Sequence, residues 1–481
     1  MKHFTNWLLL SFSLLIAFQV SAQELINSTY LQSLSKTQIL SQFGTNPFVI
    51  NGVDMYRIHY TTPDVLGVPD TASGLLIIPD DLAVIYPLLS YSHGTVASKN
   101  DVPSKLQGGY ELPMVMAAYG YVTVVADFLG LGDSRGFHPY VHADSEASAS
   151  VDMLYAVQAY CEQNNVLLND QLFISGYSQG GHASLATQRL IETELMDDFT
   201  VTASSPMSGP YEIYGAQSDY ALGDEEFFYP GFLPYVALGY QRAYGNIFGE
   251  IEEFFKPAFV PMVEQFRDGI INLNNLNTQM ILELNATYGE VLPKYSLQDS
   301  ILDQILNNPD HPVSVALADN NLHEGWVPQV PTRFPYCGMD DQVSFQNSIV
   351  ASDAFNANGA PDTKAELINP DFDHGECVLP ATTFTMLFFR QYQMLEFINS
   401  VFGENTLPIE IFPNPVTSQL NIEGLETEAD FRLYDLTGRV VVDQKMYFGS
   451  NKVALDNIQS GIYFVEVISE GRYRKEKIVV K

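Results

Sequence analysis

Apolar residues in this chain fall into short runs, separated by longer stretches where they recur every three or four positions. The runs predict strands over Asp54–Thr61, Thr71–Pro79 and Tyr86–Ser92. The segment Thr62–Asp70, with two prolines and a glycine, predicts the hairpin turn between the first two. Tyr121–Asp127 is continuously apolar and β-branched, as a strand covered on both faces should be. Ser145–Gln163 carries apolar side chains at helical spacing. The run Leu172–Gly176 ends in a tight turn, followed by a helical pattern over Ala183–Leu195. Further strands are predicted at Thr200–Pro206, Thr332–Cys337 and Lys364–Ile368. Strands alternating with helices define an α/β class with a mostly parallel central sheet. Residues 23–50 are polar and poorly periodic, and one short helix is expected there.

Two segments break the alternation. Residues 211–329 are helical in pattern and rich in aromatics, as in Phe227-Phe228-Tyr229-Pro230-Gly231-Phe232 and Phe254-Phe255-Lys256-Pro257-Ala258-Phe259. A connection that long is no plain loop, so it is expected to form an inserted helical cap. A helix is expected over Ala381–Phe402 and a linker over 403–407. Residues 408–481 then read as short alternating strands between glycine and asparagine turns, which predicts a small β-sandwich. At the other end, Lys2 and His3 precede an apolar run from Trp7 to Val20, and Val20-Ser21-Ala22 offers small residues for cleavage. Residues 1–22 thus read as a secretory signal peptide, leaving 23–402 as the main domain. No later run is long enough to span a membrane.

Charge narrows the partners. The formal net charge is −34, which repels phosphate backbones and anionic surfaces and argues against nucleic acid. Three cysteines, Cys161, Cys337 and Cys377, leave at least one unpaired.

The candidate chemistry centres on Gly176-Tyr177-Ser178-Gln179-Gly180-Gly181, a G-x-S-x-G turn between a strand and a helix. That context is the nucleophile elbow of α/β-hydrolases: a serine on a strained turn, with room made by glycines. A serine hydroxyl needs a histidine to take its proton and a carboxylate to orient that histidine. The order serine, acid, histidine points downstream of the cap. There, Asp340 follows the strand Thr332–Cys337, with Asp341 as the alternative acid, because spacing does not say which side chain faces the site. His374, in a segment read as a loop, is the single histidine after Asp340. If Asp340 and His374 touch, Cys337 and Cys377 become neighbours, and a disulfide between them is expected, with Cys161 free. An oxyanion hole needs two backbone amides. Gln179 supplies one, and Thr95, in Ser92-His93-Gly94-Thr95 after the strand Tyr86–Ser92, is the candidate for the other. The glycine-rich stretch Asp127–Gly136 departs from a dinucleotide fingerprint, and no zinc-ligand spacing occurs, so neither cofactor nor metal is expected.

With these residues in view, the chain from Asp54 to Phe402 resembles the secretory lipase family of α/β-hydrolases. The matching stretches are Tyr91-Ser92-His93-Gly94-Thr95, Asp127-Phe128-Leu129-Gly130-Leu131-Gly132, His138-Pro139-Tyr140, Gly176–His182, Asp340-Asp341-Gln342-Val343 and Asp373-His374-Gly375. The resemblance implies an ester-cleaving serine hydrolase, a lipase or esterase, with Ser178, Asp340 and His374 as its triad and a small-molecule or lipid ester as substrate. An exopeptidase on the same fold is the alternative, and a non-catalytic binding module is a third reading. The tail resembles the type A sorting domain of type IX secretion. It carries Phe412-Pro413-Asn414-Pro415, Leu433-Tyr434-Asp435-Leu436-Thr437-Gly438-Arg439, Gly461-Ile462-Tyr463 and Lys477–Lys481. That resemblance implies the type IX machinery as partner and a destination in the medium or on the cell surface.

Overall fold

The structure, a computed structural model, describes residues 24–44, 46–81, 83–397, 407–435, 439–470 and 472–481. The expected signal peptide, most of the linker 403–407 and Leu436-Thr437-Gly438 of the tail motif lie outside the described residues. The chain divides into two compact units, one up to Glu396 and one from Phe397 onward.

The first unit is built on a twisted sheet. Its strands are β1 (Leu25–Leu34), β2 (Val53–Pro63), β3 (Pro69–Pro79), β4 (Val84–Ser92), β5 (Val122–Ala126), β6 (Leu168–Tyr177), β7 (Val201–Met207), β8 (Thr332–Cys337) and β9 (Thr363–Asn369). They run in the order β1-β2-β3-β5-β4-β6-β7-β8-β9. Pairings from β1 to β5 are antiparallel, and those from β5 to β9 are parallel. The helices packed around it include α1 (Lys36–Phe43), α2 (Glu111–Gly120), α3 (Ala143–Gln163) and α4 (Gln179–Glu194). The chain leaves β4 toward β5 on one side and leaves β6 toward β7 on the other. The ends of β4 and β6 therefore flank a switch point, where open α/β sheets form their crevice.

Strand β1 departs from the sequence pattern, in which residues 23–50 are irregular apart from one helix. It pairs antiparallel with β2 at the sheet edge, with two register breaks and most of its side chains in solvent. An edge strand needs no buried face along its length, so it leaves no alternation to read.

Between β7 and β8 lie α5 (Ser218–Ala221), α6 (Phe232–Tyr244), α7 (Ile251–Phe254), α8 (Val260–Arg267), α9 (Leu273–Tyr288), α10 (Asp299–Asn307) and α11 (Pro312–Asp319). This insertion has its own core. Phe255, Phe259, Val263, Leu276, Met280 and Leu284 are buried in one cluster that also takes in Tyr140 and Val141 from the loop before α3. The helical insertion thus rests on the His138-Pro139-Tyr140 stretch.

After β8 come α12 (Gln346–Ala357), β9 and α13 (His374–Phe389). Helix α13 begins seven residues before the expected Ala381 and ends well short of Phe402. Its start is set by Asp373, whose side chain accepts from the Glu376 amide while Glu376 reaches back to the Asp373 amide. Pro380, which reads locally as a helix start, lies inside the helix instead.

The second unit is a pair of antiparallel sheets. Glu410–Phe412, Gln419–Leu425 and Gly449–Ala454 form one sheet. Val440–Met446, Ala429–Tyr434, Gly461–Ser469 and Arg472–Val480 form the other. Leu420, Ile422 and Val453 meet Phe431, Val465 and Ile478 in one fully buried cluster, the small β-sandwich that the alternation implied.

Candidate active site

Ser178 sits between β6 and α4 with φ 63° and ψ −124°. That is a costly conformation for a residue with a Cβ, and it is held by a hydrogen bond from the Ser178 amide to the Met207 carbonyl at 3.0 Å. The surrounding glycines are required by contact. A Cβ on Gly180 would lie 2.0 Å from the Ser92 carbonyl oxygen. One on Gly176 would lie 2.2 Å from the Gly180 oxygen, and one on Gly181 2.4 Å from that of Met207. These contacts also explain why α4 starts at Gln179 rather than at the expected Ala183. Two glycines are poor helix formers, but only glycine fits where the helix crosses β4 and β7. The Ser178 side chain does not cap α4, and the first amides of a helix favour an anion.

The loop after β4 lies beside this turn, because Ser92 pairs in register with Gly176. Gly94 approaches so closely that a Cβ there would sit 3.2 Å from the Tyr177 oxygen and 3.7 Å from the Ser178 Cβ. His93 is buried and ties its loop down, with Nδ1 2.8 Å from the Gly94 oxygen and Nε2 3.3 Å from that of Asp127. Thr95 Oγ1 is 2.7 Å from the Tyr140 hydroxyl, and the Tyr140 ring stacks on Tyr235 of α6 at 4.2 Å.

Asp340 comes from the loop after β8, and His374 from the start of α13, which follows the neighbouring strand β9. Asp340 Oδ2 is 2.7 Å from His374 Nδ1, and both residues are buried. Asp340 Oδ1 accepts from the amides of Gln342 at 3.0 Å and Val343 at 2.8 Å. The Tyr220 hydroxyl donates to the Asp340 carbonyl at 3.1 Å. Asp341 points elsewhere. Its Oδ1 accepts from the His374 amide at 3.3 Å and its Oδ2 from the Tyr229 hydroxyl at 3.4 Å, so it braces the loop and does not touch the imidazole. His374 is not in a loop but is the first residue of α13.

The link between His374 and the turn is Tyr177, the residue before Ser178. Its ring packs on the imidazole at 5.0 Å, and its hydroxyl donates to the His374 carbonyl at 2.6 Å. Burial pushes the Tyr177 phenol well above its usual range, so it stays a donor. The described bonds of the imidazole include none from Nε2 to Ser178 Oγ, a contact that commonly tightens only when substrate is bound. Tyr177 carried no signal in the sequence, since an aromatic before a buried turn reads as core.

Cys337 and Cys377 form a disulfide, with Cα atoms 5.9 Å apart. It closes a 40-residue separation containing both loops. Cys161 is free and buried, and burial pushes its thiol pKa up to about 12. In the chain-entropy account a loop of that size contributes about 4 kcal/mol. Replacing Cys337 and Cys377 together by serine should therefore lower the urea unfolding free energy by about 2–4 kcal/mol. Denatured wild-type protein without reductant should titrate with one thiol, and three would contradict the bridge.

A cavity of about 120 Å³ has Ser178 and Gln179 in its wall and extends among Phe227, Phe232, Phe254, Ile305, Val313 and Leu317 of the insertion. Its lining holds no charged side chain. Asp340, His374 and Thr95 are not part of the lining. Among the described residues no cluster of metal-ligating side chains occurs, and no helix is long and apolar enough to cross a membrane.

The profile of the secretion system C-terminal sorting domain matches residues 410–481. A search of curated proteins finds no match. Among solved structures, the rice cell wall degrading esterase LipA from Xanthomonas oryzae is 30% identical. The alignment covers 77% of this chain and 97% of the esterase, with a TM-score of 0.67. Candida antarctica lipase A in its closed state is 16% identical over 77% of this chain and 82% of its own, with a TM-score of 0.58, and shares the fold. The tail is thus a type IX sorting domain, which directs the chain to export, either into the medium or to the cell surface. Given a strained serine turn at the switch point of the sheet and near-complete coverage of a solved esterase, the chain belongs to the lipase-like α/β-hydrolases and is a carboxylic ester hydrolase.

Proposed function

We propose that the protein cleaves esters with apolar acyl groups through Ser178, His374 and Asp340, by way of an acyl-enzyme. The observation that carries this reading is the binding of Asp340. One carboxylate oxygen is held by two amides of its own loop, and the other faces His374 Nδ1 at 2.7 Å. This fixes the tautomer with hydrogen on Nδ1 and leaves Nε2 as the basic atom. Ser178 Oγ attacks the ester carbonyl as His374 Nε2 takes its proton. The negative charge that forms on the carbonyl oxygen is met by the amides of Gln179 and Thr95, and Asp340 stabilises the imidazolium. His374 then returns the proton to the departing alcohol. Water repeats the sequence on the acyl-enzyme, and the acid is released.

The exopeptidase reading is less well supported. The cations of the insertion, Arg242, Lys256, Arg267 and Lys294, are each matched to a carboxylate: Asp64, Asp299, Asp268 and Asp224 respectively. None of them lines the cavity, so no open charge awaits a peptide terminus. The wall is instead suited to an acyl chain.

Each methylene buried there contributes about 0.8 kcal/mol, or about a fourfold gain in kcat/KM. Rates on p-nitrophenyl esters should rise by that factor per methylene from acetyl upward until the cavity is full, then level off. Leu317→Trp should move the optimum to a shorter acyl group. Flat rates along the series, or faster cleavage of aminoacyl anilides, would overturn the proposal.

A further inference from the structure

Beneath the serine turn lies a buried polar network that the steps above do not use. Glu146, in the first turn of α3, is fully buried. Its Oε1 accepts from Gln179 Nε2 at 2.8 Å, and its Oε2 lies 2.7 Å from His182 Nδ1. Gln179 Nε2 is also 2.7 Å from His138 Nε2. Burial lowers the His138 pKa to about 4, so this ring is neutral. Its Nδ1 donates to the Leu129 carbonyl at 2.7 Å, which makes Nε2 an acceptor. Both hydrogens of the Gln179 side-chain amide are thus committed, one to His138 and one to Glu146. The amide oxygen of Gln179 is buried without a partner, so the orientation is set by the two donated bonds.

The network continues into the insertion. His182 Nε2 is 3.1 Å from the carbonyl oxygen of Asn320, which follows α11. Asn320 accepts from the Ala143 amide at 2.7 Å and donates to the Tyr244 hydroxyl at 2.8 Å. The two nitrogens of His182 are thus both engaged, one by the Glu146 carboxylate and one by the Asn320 carbonyl.

We infer that Glu146, with His138, is a positioning residue for the oxyanion hole: it anchors the Gln179 side chain from below and so aims the Gln179 backbone amide. This rests on the proposed role of that amide. A buried carboxylate is costly unless fully bonded, and Glu146 spends both oxygens on the elbow helix. Aiming an amide matters because a displaced donor loses strength at the tetrahedral stage while ground-state binding is little changed.

The test uses the full-length enzyme with Glu146→Leu, Gln179→Met, the double variant and Glu146→Gln. Gln179→Met keeps the backbone amide and removes the anchored side chain. Losing a hole donor outright costs about 100- to 1,000-fold, so misaiming one should lower kcat by about 10- to 100-fold. KM should stay within about twofold, and affinity for an alkyl boronic acid, which forms a tetrahedral adduct, should fall in parallel with kcat. The double variant should lose no more than either single one. Glu146→Gln keeps an acceptor toward Gln179 and a donor toward His182, and should recover most of the rate. Wild-type kcat in Gln179→Met, additive losses, or equal damage in Glu146→Gln would overturn the inference, even if Glu146→Leu fails to fold. Ser178→Ala, run alongside, separates the two claims. If it retains activity, the nucleophile assignment falls. If it is inert while Gln179→Met matches wild type, only the positioning role falls.

Discussion

Ser178→Ala should lower kcat on a p-nitrophenyl ester by about 100,000-fold or more, the cost seen when a serine nucleophile is removed from such a relay. That factor equals about 7 kcal/mol of transition-state stabilisation. The loss should fall on kcat and leave KM little changed, because the hydroxyl bonds to the substrate only during reaction. A fluorophosphonate probe that labels wild type should leave the variant unlabelled. Stability supplies a second readout. Ser178 holds φ at 63°, and alanine inherits the same strain, so Ser178→Ala should unfold near the wild-type midpoint. Ser178→Gly should raise the unfolding free energy by about 1 kcal/mol while being equally inactive, because glycine takes that angle without a Cβ clash. An inactive protein stabilised by glycine at this residue would mark strain kept for function. Turnover by Ser178→Ala within tenfold of wild type would refute the assignment.

Asp340→Asn should cut kcat by about 10,000-fold, or about 5.5 kcal/mol, whereas Asp341→Asn should cost less than about tenfold. The asparagine oxygen can still accept from the Gln342 and Val343 amides, so the loop should keep its shape. Its NH2 would then face His374 Nδ1 and donate to it. That forces the ring hydrogen onto Nε2, the atom that must receive the serine proton. The damage is to the tautomer, and near-wild-type stability with the low rate is the expected signature. Asp341 meets the His374 backbone amide and the Tyr229 hydroxyl, at 3.3 and 3.4 Å, so its loss loosens a brace. Equal losses in the two variants would mean that both carboxylates serve the imidazole.

The arrangement also accounts for the disulfide. Asp340 and His374 lie at the ends of β8 and β9, and Gly338 approaches the second loop so closely that a Cβ would meet the Pro370 oxygen at 2.5 Å. Cys337 and Cys377 lock the two loops at this point of contact. An exported enzyme, beyond the reducing cytosol, can keep such a bond.

What the sequence determined by itself was whatever depends on neighbours along the chain. The strained turn needs glycines on either side of Ser178, so its signature is local and legible. The chain order of serine, acid and histidine singled out His374 among nine histidines. The alternation of the tail fixed two packed sheets, because each strand has one buried face. The tertiary structure alone decided which of two adjacent aspartates meets the imidazole, since one residue of register turns a loop carboxylate toward or away from it. It also decided that Glu146, which reads as an ordinary acidic residue at a helix start, lies sealed under the elbow. The same holds for the start of α4. Local propensity puts it after the glycines, while a Cβ at Gly180 or Gly181 would come within 2.0 or 2.4 Å of a carbonyl oxygen at the end of β4 or β7, so those positions inside the helix require glycine. Propensity acts over a few residues and amounts to about 1 kcal/mol for a glycine, whereas those backbone contacts join segments far apart in the chain and admit nothing larger.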